Sequence, residues 1–113
     1  MVIGATEQDV ETALSAATPW QDCPPDQRAA ILQRAADLYE KNFGLFFAVL
    51  TREAGKTPAD VIAELREAVD FLRYYAARIP ELENRPARGL FACISPWNFP
   101  LAIFTGQIAA ALA

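Results

Sequence analysis

The feature that most constrains this chain is an uncharged stretch over residues 89–113, which two prolines interrupt. It opens with a short apolar run of the kind that forms a buried strand. Pro96 and Pro100 then fix their own φ angles and push the residues before them out of the α region, so the chain turns sharply here. Apolar residues continue after the turn with helical character. We predict a strand over about residues 90–95, a tight turn, and a helix over about residues 101–113.

The turn presents one amide side chain, that of Asn98, directly after the predicted strand. Open α/β sheets bind their ligands just beyond the carboxyl ends of their strands, so this position favours a functional role for the amide. An asparagine here is equally suited to cap the following helix, because its side chain accepts a hydrogen bond from a first-turn N–H group. The residues alone leave both interpretations open.

The composition excludes several classes of function. The chain contains no histidine, which removes histidine-based catalytic triads and mixed His/Cys zinc sites. Cys23 and Cys93 match no metal-ligand spacing, and a lone pair of cysteines without a secretory signal favours a reduced, cytoplasmic setting. We expect both thiols to be unreactive, Cys93 because it would be buried inside the strand. A net charge of −4 without a basic patch argues against binding to nucleic acid or to an anionic membrane.

The size and the hydrophobic content fit one folded unit without a membrane span. With 113 residues, of which 53% are hydrophobic, the chain has room for at most one domain with a buried core. The uncharged C-terminal helix would be roughly 20 Å long, short of the ~30 Å hydrocarbon core of a bilayer. We therefore predict that it is a buried core helix.

Local signals predict a series of helices before the turn. Thr6 and Asp9 have the spacing of a capping box, and Pro58 suits the first turn of a helix. Asn42 marks a break between two helices, and Gly55 stands where a helix C-cap glycine would. The predicted helices span about residues 7–17, 25–41, 43–54 and 58–79.

The longest predicted helix carries an apolar stripe and a charged face. Glu64 and Glu67 lie one turn apart on it, which is the arrangement of a pair of catalytic carboxylates. Arg66 and Arg73 are interleaved with them, however, and such a mixture is typical of a solvated face. We therefore expect both glutamates to be exposed to solvent.

The triplet Gly55-Lys56-Thr57 resembles the end of a phosphate-binding loop. Such a loop needs another glycine five residues earlier, where this chain has Leu50, and it follows a strand, whereas a helix precedes this triplet. The sequence therefore argues against a nucleotide loop here.

Taken together, the C-terminal residues resemble a known family signature. The run ISPWNFPL, residues 94–101, followed by an apolar helix, is similar to the signature of the aldehyde dehydrogenase superfamily. With REAGKT and EAVDFLRYYA upstream, the chain most resembles the L-glutamate γ-semialdehyde (1-pyrroline-5-carboxylate) dehydrogenase branch, which is often the C-terminal enzyme of bifunctional proline-utilisation proteins. The resemblance extends over nearly the whole chain, from about Asp9.

This resemblance implies a fold and an activity. The expected fold class is α/β: residues 1–113 would be part of a Rossmann-like NAD-binding domain, with an N-terminal helical segment followed by the first strand–helix element. The expected function is the oxidation of L-glutamate γ-semialdehyde to glutamate in proline catabolism, with NAD as the cofactor and NADP left open. The expected partners are the aldehyde, the rest of the dehydrogenase chain and further copies in a homo-oligomer.

The resemblance also assigns site residues. Asn98 would donate a hydrogen bond to the oxyanion that forms when a cysteine thiolate attacks the aldehyde. The residues placed along the NAD groove are Ile94, Ser95, Pro96 and Trp97. Phe99 and Ile103 would face the aldehyde pocket, with an ordinary core role as the alternative.

In the family, the nucleophilic cysteine and the general-base glutamate lie in segments downstream of those that match this chain. Cys93 is not a substitute for that nucleophile, and we expect the 113 residues alone to be inactive. Phe104-Thr105-Gly106 copies a family loop only by coincidence, so Gly106 and Ala110 would serve close helix packing. Two alternatives stay open: a truncated, inactive helical protein acting as a structural or subunit-interaction element, and an aldehyde dehydrogenase of other specificity.

Overall fold

A computed structural model describes residues 4–17, 20, 22–82 and 85–113. Within these ranges the chain forms five α-helices and one short 3₁₀-helix. The bounds are α1 Glu7–Ala16, α2 Pro25–Lys41, α3 Phe43–Glu53, α4 Pro58–Arg78, the 3₁₀-helix Ile79–Leu82, and α5 Ala102–Leu112. No helix in these ranges combines the length and the apolar character that crossing a bilayer requires.

Helix α1 is closed by the predicted capping box. The Asp9 N–H donates to Thr6 Oγ1 at 3.2 Å, and the Thr6 N–H donates to Asp9 Oδ2 at 2.8 Å. That backbone N–H, together with the Thr6 hydroxyl, lowers the pKa of the Asp9 carboxyl from its usual value. The helix nevertheless buries none of its residues, and Val10 and Leu14 are each 52% exposed.

The junction between α3 and α4 is a tight reversal. Gly55 has φ 66°, a left-handed conformation that glycine adopts without steric cost, and the following Lys56 N–H donates to the Leu50 carbonyl oxygen at 3.2 Å. Thr57 then caps α4 by accepting the Asp60 N–H at 3.3 Å. The reversal fixes where the Lys56 side chain begins.

Helix α4 is the central element of the core. It packs against α2, α3 and α5, and its buried residues contribute to two apolar clusters. One cluster comprises Leu32, Ala36, Val69, Leu72, Ala76, Ile79 and Ala109; the other comprises Leu50, Val61, Leu65, Ala68, Leu101 and Ala102. The apolar helix α5 is thus part of the core.

Helix α5 approaches α4 closely at Gly106. A Cβ atom at this position would lie 2.8 Å from the Phe71 ring, so the glycine permits the close helix packing that the sequence predicted. Ala110, for which the same role was predicted, is exposed instead. The buried Thr105 hydroxyl lies 3.2 Å from Tyr39 Oη, and the Trp20 indole N–H donates to the Leu112 carbonyl oxygen at 2.7 Å. Helix α5 is therefore tied to the core at its middle and at its C-terminal end.

The predicted strand is the main point of difference. Residues 86–96 have no regular secondary structure, and the described part of the chain contains no strand at all. A strand requires hydrogen bonds to a neighbouring strand, and no described segment supplies one. The described chain is therefore helical, with an irregular segment where the sequence predicted the strand of an α/β element, and Cys93 is only half-buried rather than enclosed in a sheet.

Candidate functional site

The turn between Pro96 and Pro100 places two side chains at its tip. It is closed by the Phe99 N–H, which donates to the Pro96 carbonyl oxygen at 3.2 Å. Trp97 and Asn98 lie between these residues and are both exposed, Trp97 to 86%. The amide of Asn98 is thus presented on a closed turn at the surface.

Asn98 does not cap helix α5. The N-cap position is Leu101, and it makes no side-chain capping hydrogen bond. The N–H groups of Leu101 and Ala102 instead donate to the carboxylate of Glu64, which belongs to α4. The capping interpretation of Asn98 is therefore wrong, and the functional one stays a prediction.

Glu64 is the cap of α5, supplied from another helix. Its side chain is buried, and Oε1 accepts the Leu101 N–H at 2.8 Å and the Ala102 N–H at 3.2 Å. An anion is favoured at this place because the N-terminus of a helix carries partial positive charge. Oε2 lies 2.9 Å from Lys56 Nζ, in the geometry of an ion pair rather than of an aligned hydrogen bond.

The expectation that both glutamates are solvated is wrong for Glu64 and correct for Glu67. Residues three or four apart share one face of a helix, so Glu64 falls in line with the buried Val61 and Ala68. The sequence signal that could have indicated the burial of Glu64 is its position in line with these apolar residues. Its partners are backbone N–H groups of α5, which no local pattern of α4 can indicate.

Lys56 connects this buried carboxylate to the turn. Its side chain is 14% exposed, and Nζ lies 4.2 Å from the centroid of the Phe99 ring, a cation–π contact. Phe99 is the residue directly after Asn98. One ammonium group therefore touches both the carboxylate that caps α5 and the ring that follows the candidate amide.

A second contact holds the other side of the turn. The Gln107 side chain donates from Nε2 to the Ile94 carbonyl oxygen at 3.0 Å. The segment that enters the turn and the segment that leaves it are thus each bonded to a helix of the core.

The predicted site residues differ in their exposure. Ile94 is 84% exposed and Phe99 is 38% exposed, whereas Ser95 and Ile103 are partly buried. All lie in or next to the turn, so the structure keeps the predicted residues in one region. The arrangement offers an exposed amide donor flanked by apolar side chains.

Two open surface clefts lie elsewhere, along α4. One has a volume of about 410 Å³ and is lined by residues that include Glu40, Leu65 and Arg73. The Arg73 guanidinium donates hydrogen bonds to the carboxylate of Glu40, and these bonds, assisted by Asp37, raise the pKa of Arg73 from its usual value. Glu40 and Arg73 of this cleft are paired with each other, and none of the predicted site residues lines either cleft. In the part of the chain that the structure describes, no group of three or more potential ligand side chains is placed to hold a metal ion.

Comparison with known proteins identifies the family of the chain. A model of the aldehyde dehydrogenase family matches residues 2–113. The chain belongs to the aldehyde dehydrogenase family. The similarity that the proline-bracketed turn predicted is thereby confirmed.

Its relatives in the family include two kinds of protein. The chain is 57% identical over 116 residues to the bifunctional protein PutA of Salmonella typhimurium, an alignment that covers 96% of this chain and 9% of the relative. It is 38% identical over 121 residues to the 1-pyrroline-5-carboxylate dehydrogenase of Anoxybacillus flavithermus, covering 94% of this chain and 24% of the relative. The chain thus spans less than a tenth of that PutA and about a quarter of that dehydrogenase.

A solved structure shares the fold. The structure of proline utilization A (PutA) with proline bound in remote sites superposes with a TM-score of 0.85 at 41% sequence identity. The match covers 98% of this chain and 14% of the PutA chain. The helices and the turn of this chain therefore have the arrangement found in an aldehyde dehydrogenase fold neighbour.

Proposed function

We propose that residues 1–113 belong to an NAD-dependent aldehyde dehydrogenase that oxidises L-glutamate γ-semialdehyde, the open form of 1-pyrroline-5-carboxylate, to glutamate in proline catabolism. The observation that carries the proposal is the similarity of nearly the whole chain to PutA and to 1-pyrroline-5-carboxylate dehydrogenases. The exposed turn at residues 96–100 gives that similarity a chemical basis, because it presents an amide where the family signature lies.

In this proposal Asn98 stabilises the oxyanion. An amide N–H donates a hydrogen bond without carrying charge, so it favours the tetrahedral state over the flat carbonyl without binding the carboxylate product as an ion pair. Its exposure on a closed turn leaves it free to face a substrate. Loss of one such donor typically lowers turnover by about 10²–10³-fold.

The cofactor would lie along residues 94–97, and NAD would supply the acceptor for the hydride. Ile94 and Trp97 expose 84% and 86% of their surface, so they offer apolar faces to a ribose or a ring, beside Ser95 and Pro96. The cofactor phosphates would bind elsewhere, since the Glu64 carboxylate already occupies the N-terminus of α5. NADP is the alternative cofactor.

The aldehyde pocket would include Phe99 and Ile103. Phe99 is 38% exposed and holds the Lys56 cation against its ring, while Ile103 is partly buried in the first turn of α5. Both therefore have part of their surface available to a ligand. Their alternative role as core side chains predicts that replacing them changes stability but not the preference among aldehydes.

The complete reaction would need further segments of the dehydrogenase. The family resemblance assigns the nucleophilic cysteine and the general-base glutamate to downstream residues, so we expect residues 1–113 alone to show no turnover. The exposed apolar side chains of Leu90 and Phe91 support this view, because contiguous apolar surface usually marks a contact with further protein. We also propose a cytoplasmic, homo-oligomeric enzyme.

The first test is the mass of the native product, captured from source cells with an antibody to residues 64–79. A species far above 12.4 kDa, with NADH formation that depends on glutamate semialdehyde, is the expected result. In that enzyme, Asn98→Ala should lower kcat by about 10²–10³-fold, whereas Gln33→Ala, which removes an exposed amide from α2, should not. A large enzyme that leaves the semialdehyde unchanged but oxidises another aldehyde would support the alternative specificity.

One observation favours the non-enzymatic alternative. Helix α1 is well capped yet buries no residue, and its apolar Val10 and Leu14 face solvent in the described chain. Such a face suits a structural or subunit-interaction element. A native product of 12.4 kDa that melts cooperatively and oxidises no aldehyde would replace the dehydrogenase proposal with this one.

A further inference from the structure

We infer that Glu64, paired with Lys56, is a positioning residue that holds the turn carrying Asn98. This inference rests on the proposed function, in which the Asn98 amide is the oxyanion donor. Glu64 does not touch the reacting atoms; it acts through the backbone of the residues that follow the turn.

The first step is the bond between Glu64 and α5. The carboxylate is 2% exposed and accepts two backbone N–H groups, those of Leu101 and Ala102, at 2.8 and 3.2 Å. These are first-turn donors that no residue of α5 itself caps. Besides the apolar packing of Leu101 and Ala102, one side chain thus supplies the hydrogen bonds that fix this end of α5 along α4.

The second step is the short path from that bond to the amide. Leu101 directly follows Pro100, whose ring fixes its φ angle, and Asn98 stands two residues before this proline. The intervening Phe99 is held by Lys56, whose ammonium group pairs with the other oxygen of Glu64. Movement of the carboxylate would therefore shift both the backbone and the ring on the trailing side of the turn.

The third step is that the leading side has a contact of its own, made by the middle of α5 rather than by its first turn. The Gln107 side chain bonds the Ile94 carbonyl oxygen, and the opposite end of α5 is bonded by Trp20. With these contacts kept, loss of Glu64 would release one side of the turn rather than unfold it. The expected consequence is a misplaced amide.

A buried ion pair is a poor means of gaining stability alone, because desolvation offsets much of its attraction. Well-packed apolar side chains of similar volume would hold α4 and α5 together at least as strongly. The directional bonds of Glu64 instead specify where the first turn of α5 begins. A role in positioning accounts for the carboxylate better than a role in packing.

The test uses the full-length dehydrogenase that contains this segment, with Glu64→Gln as the main variant. Glutamine retains an acceptor for the two N–H groups but turns an N–H₂ donor toward Lys56, which disrupts the pair. We expect kcat to fall by about 10–100-fold, since displacement of a catalytic group by about 1 Å costs on the order of 10²-fold. The KM for the cofactor should stay unchanged. Glu67→Gln, an exposed change one turn away, is the matched control and should retain the wild-type kcat.

A double-mutant cycle separates positioning from general stability. If Glu64 acts through Asn98, then Glu64→Gln should cause no further loss of kcat once Asn98→Ala is present. If the two losses multiply, Glu64 does not act through the amide and the inference is overturned. A wild-type kcat in Glu64→Gln overturns it as well.

Hydrogen exchange provides a readout that does not depend on activity. The peptide that contains Leu101 and Ala102 should exchange faster in Glu64→Gln than in the wild type, because a neutral amide oxygen accepts their N–H groups more weakly than a carboxylate does. Glu67→Gln should leave this exchange unchanged. Equal exchange would refute the inference even in an active enzyme. A wild-type enzyme that oxidises no aldehyde refutes the proposed function instead, and exchange alone then decides whether Glu64 holds the turn.

If Glu64→Gln fails to fold, a second substitution, Glu64→Asp, still tests the inference. Glu64→Asp keeps the charge but shortens the side chain, so it should retain the fold and give a kcat between those of the wild type and Glu64→Gln. Wild-type kcat and wild-type exchange in the folded Glu64→Asp enzyme would contradict the inference.

Discussion

The first turns of α1 and α5 satisfy the same physical requirement in opposite ways. Helix α1 is capped by its own flanking residues, since Thr6 and Asp9 exchange hydrogen bonds three positions apart at an exposed site. Helix α5 has no local cap, and its first N–H groups bind Glu64, which lies 37 residues earlier in the chain and is buried. A local cap begins a helix; a distant buried cap also fixes that helix against its neighbour. The comparison predicts that changes near α5 will affect the whole fold and changes near α1 only one helix.

The largest expected effect comes from removing the cation beside the buried cap. Lys56→Met keeps an aliphatic side chain over Phe99 but leaves the Glu64 carboxylate buried without its counter-charge. Breaking a buried pair in this way typically destabilises a protein by about 3–5 kcal/mol. Urea denaturation of the intact protein measures this loss of unfolding free energy. Lys41→Met, which replaces an exposed lysine, is the control. Equal denaturation midpoints for the two variants would show that Lys56 does not stabilise the buried cap.

A smaller loss is expected from the close contact of α5 with α4. In Gly106→Ala the added Cβ would lie 2.8 Å from the Phe71 ring, so the ring must shift, at a typical cost of about 1–3 kcal/mol. Gly44→Ala, in the open surroundings of α3, is the matched control and should stabilise slightly, by about 0.5–1 kcal/mol. The two variants should therefore change the denaturation midpoint in opposite directions. A common direction would contradict the close packing of α5.

Loss of the local cap of α1 should destabilise the protein less, and its effect should be confined to α1. Thr6→Ala removes the acceptor for the Asp9 N–H, at a typical cost of about 1 kcal/mol in helix stability. Because α1 buries no residue, hydrogen exchange should rise in α1 but not in α4. Thr12→Ala, an exposed change within α1, serves as the control. Faster exchange in α4 as well would mean that α1 is coupled to the core.

The smallest effect is a pH dependence confined to the same cap. The folded-state pKa of Asp9 is lowered by the Thr6 N–H, so its contribution to α1 is present above the unfolded pKa and is lost as pH falls through the folded pKa. At each pH, the protection of α1 from hydrogen exchange is compared between the wild type and Asp9→Asn. The wild type should be better protected at higher pH, and the difference should disappear only in this acidic range. A protection difference that persists below the folded pKa would show that the carboxylate form is not what closes the helix.

Much of the helical structure followed from local signals. Prolines, the capping box at Thr6 and the left-handed Gly55 act within a few residues, and helices begin or end at these places. The proline-bracketed turn also carried the family signature, which the comparisons confirmed. The roles of Asn98 and of the flanking residues stay predictions, because the structure shows an exposed amide and not the chemistry it performs.

The sequence by itself determined the helix signals, the sharp turn and the family, because each depends on residues close together in the chain. Tertiary structure alone decided the rest. Residues 90–95 have strand-like composition, yet a strand exists only when a second segment supplies hydrogen bonds, and none of the described segments does so. Glu64 lies among charged residues typical of a solvated face, yet it is buried because α5 brings two N–H groups to it. Both outcomes depend on partners distant in sequence, which local patterns do not encode.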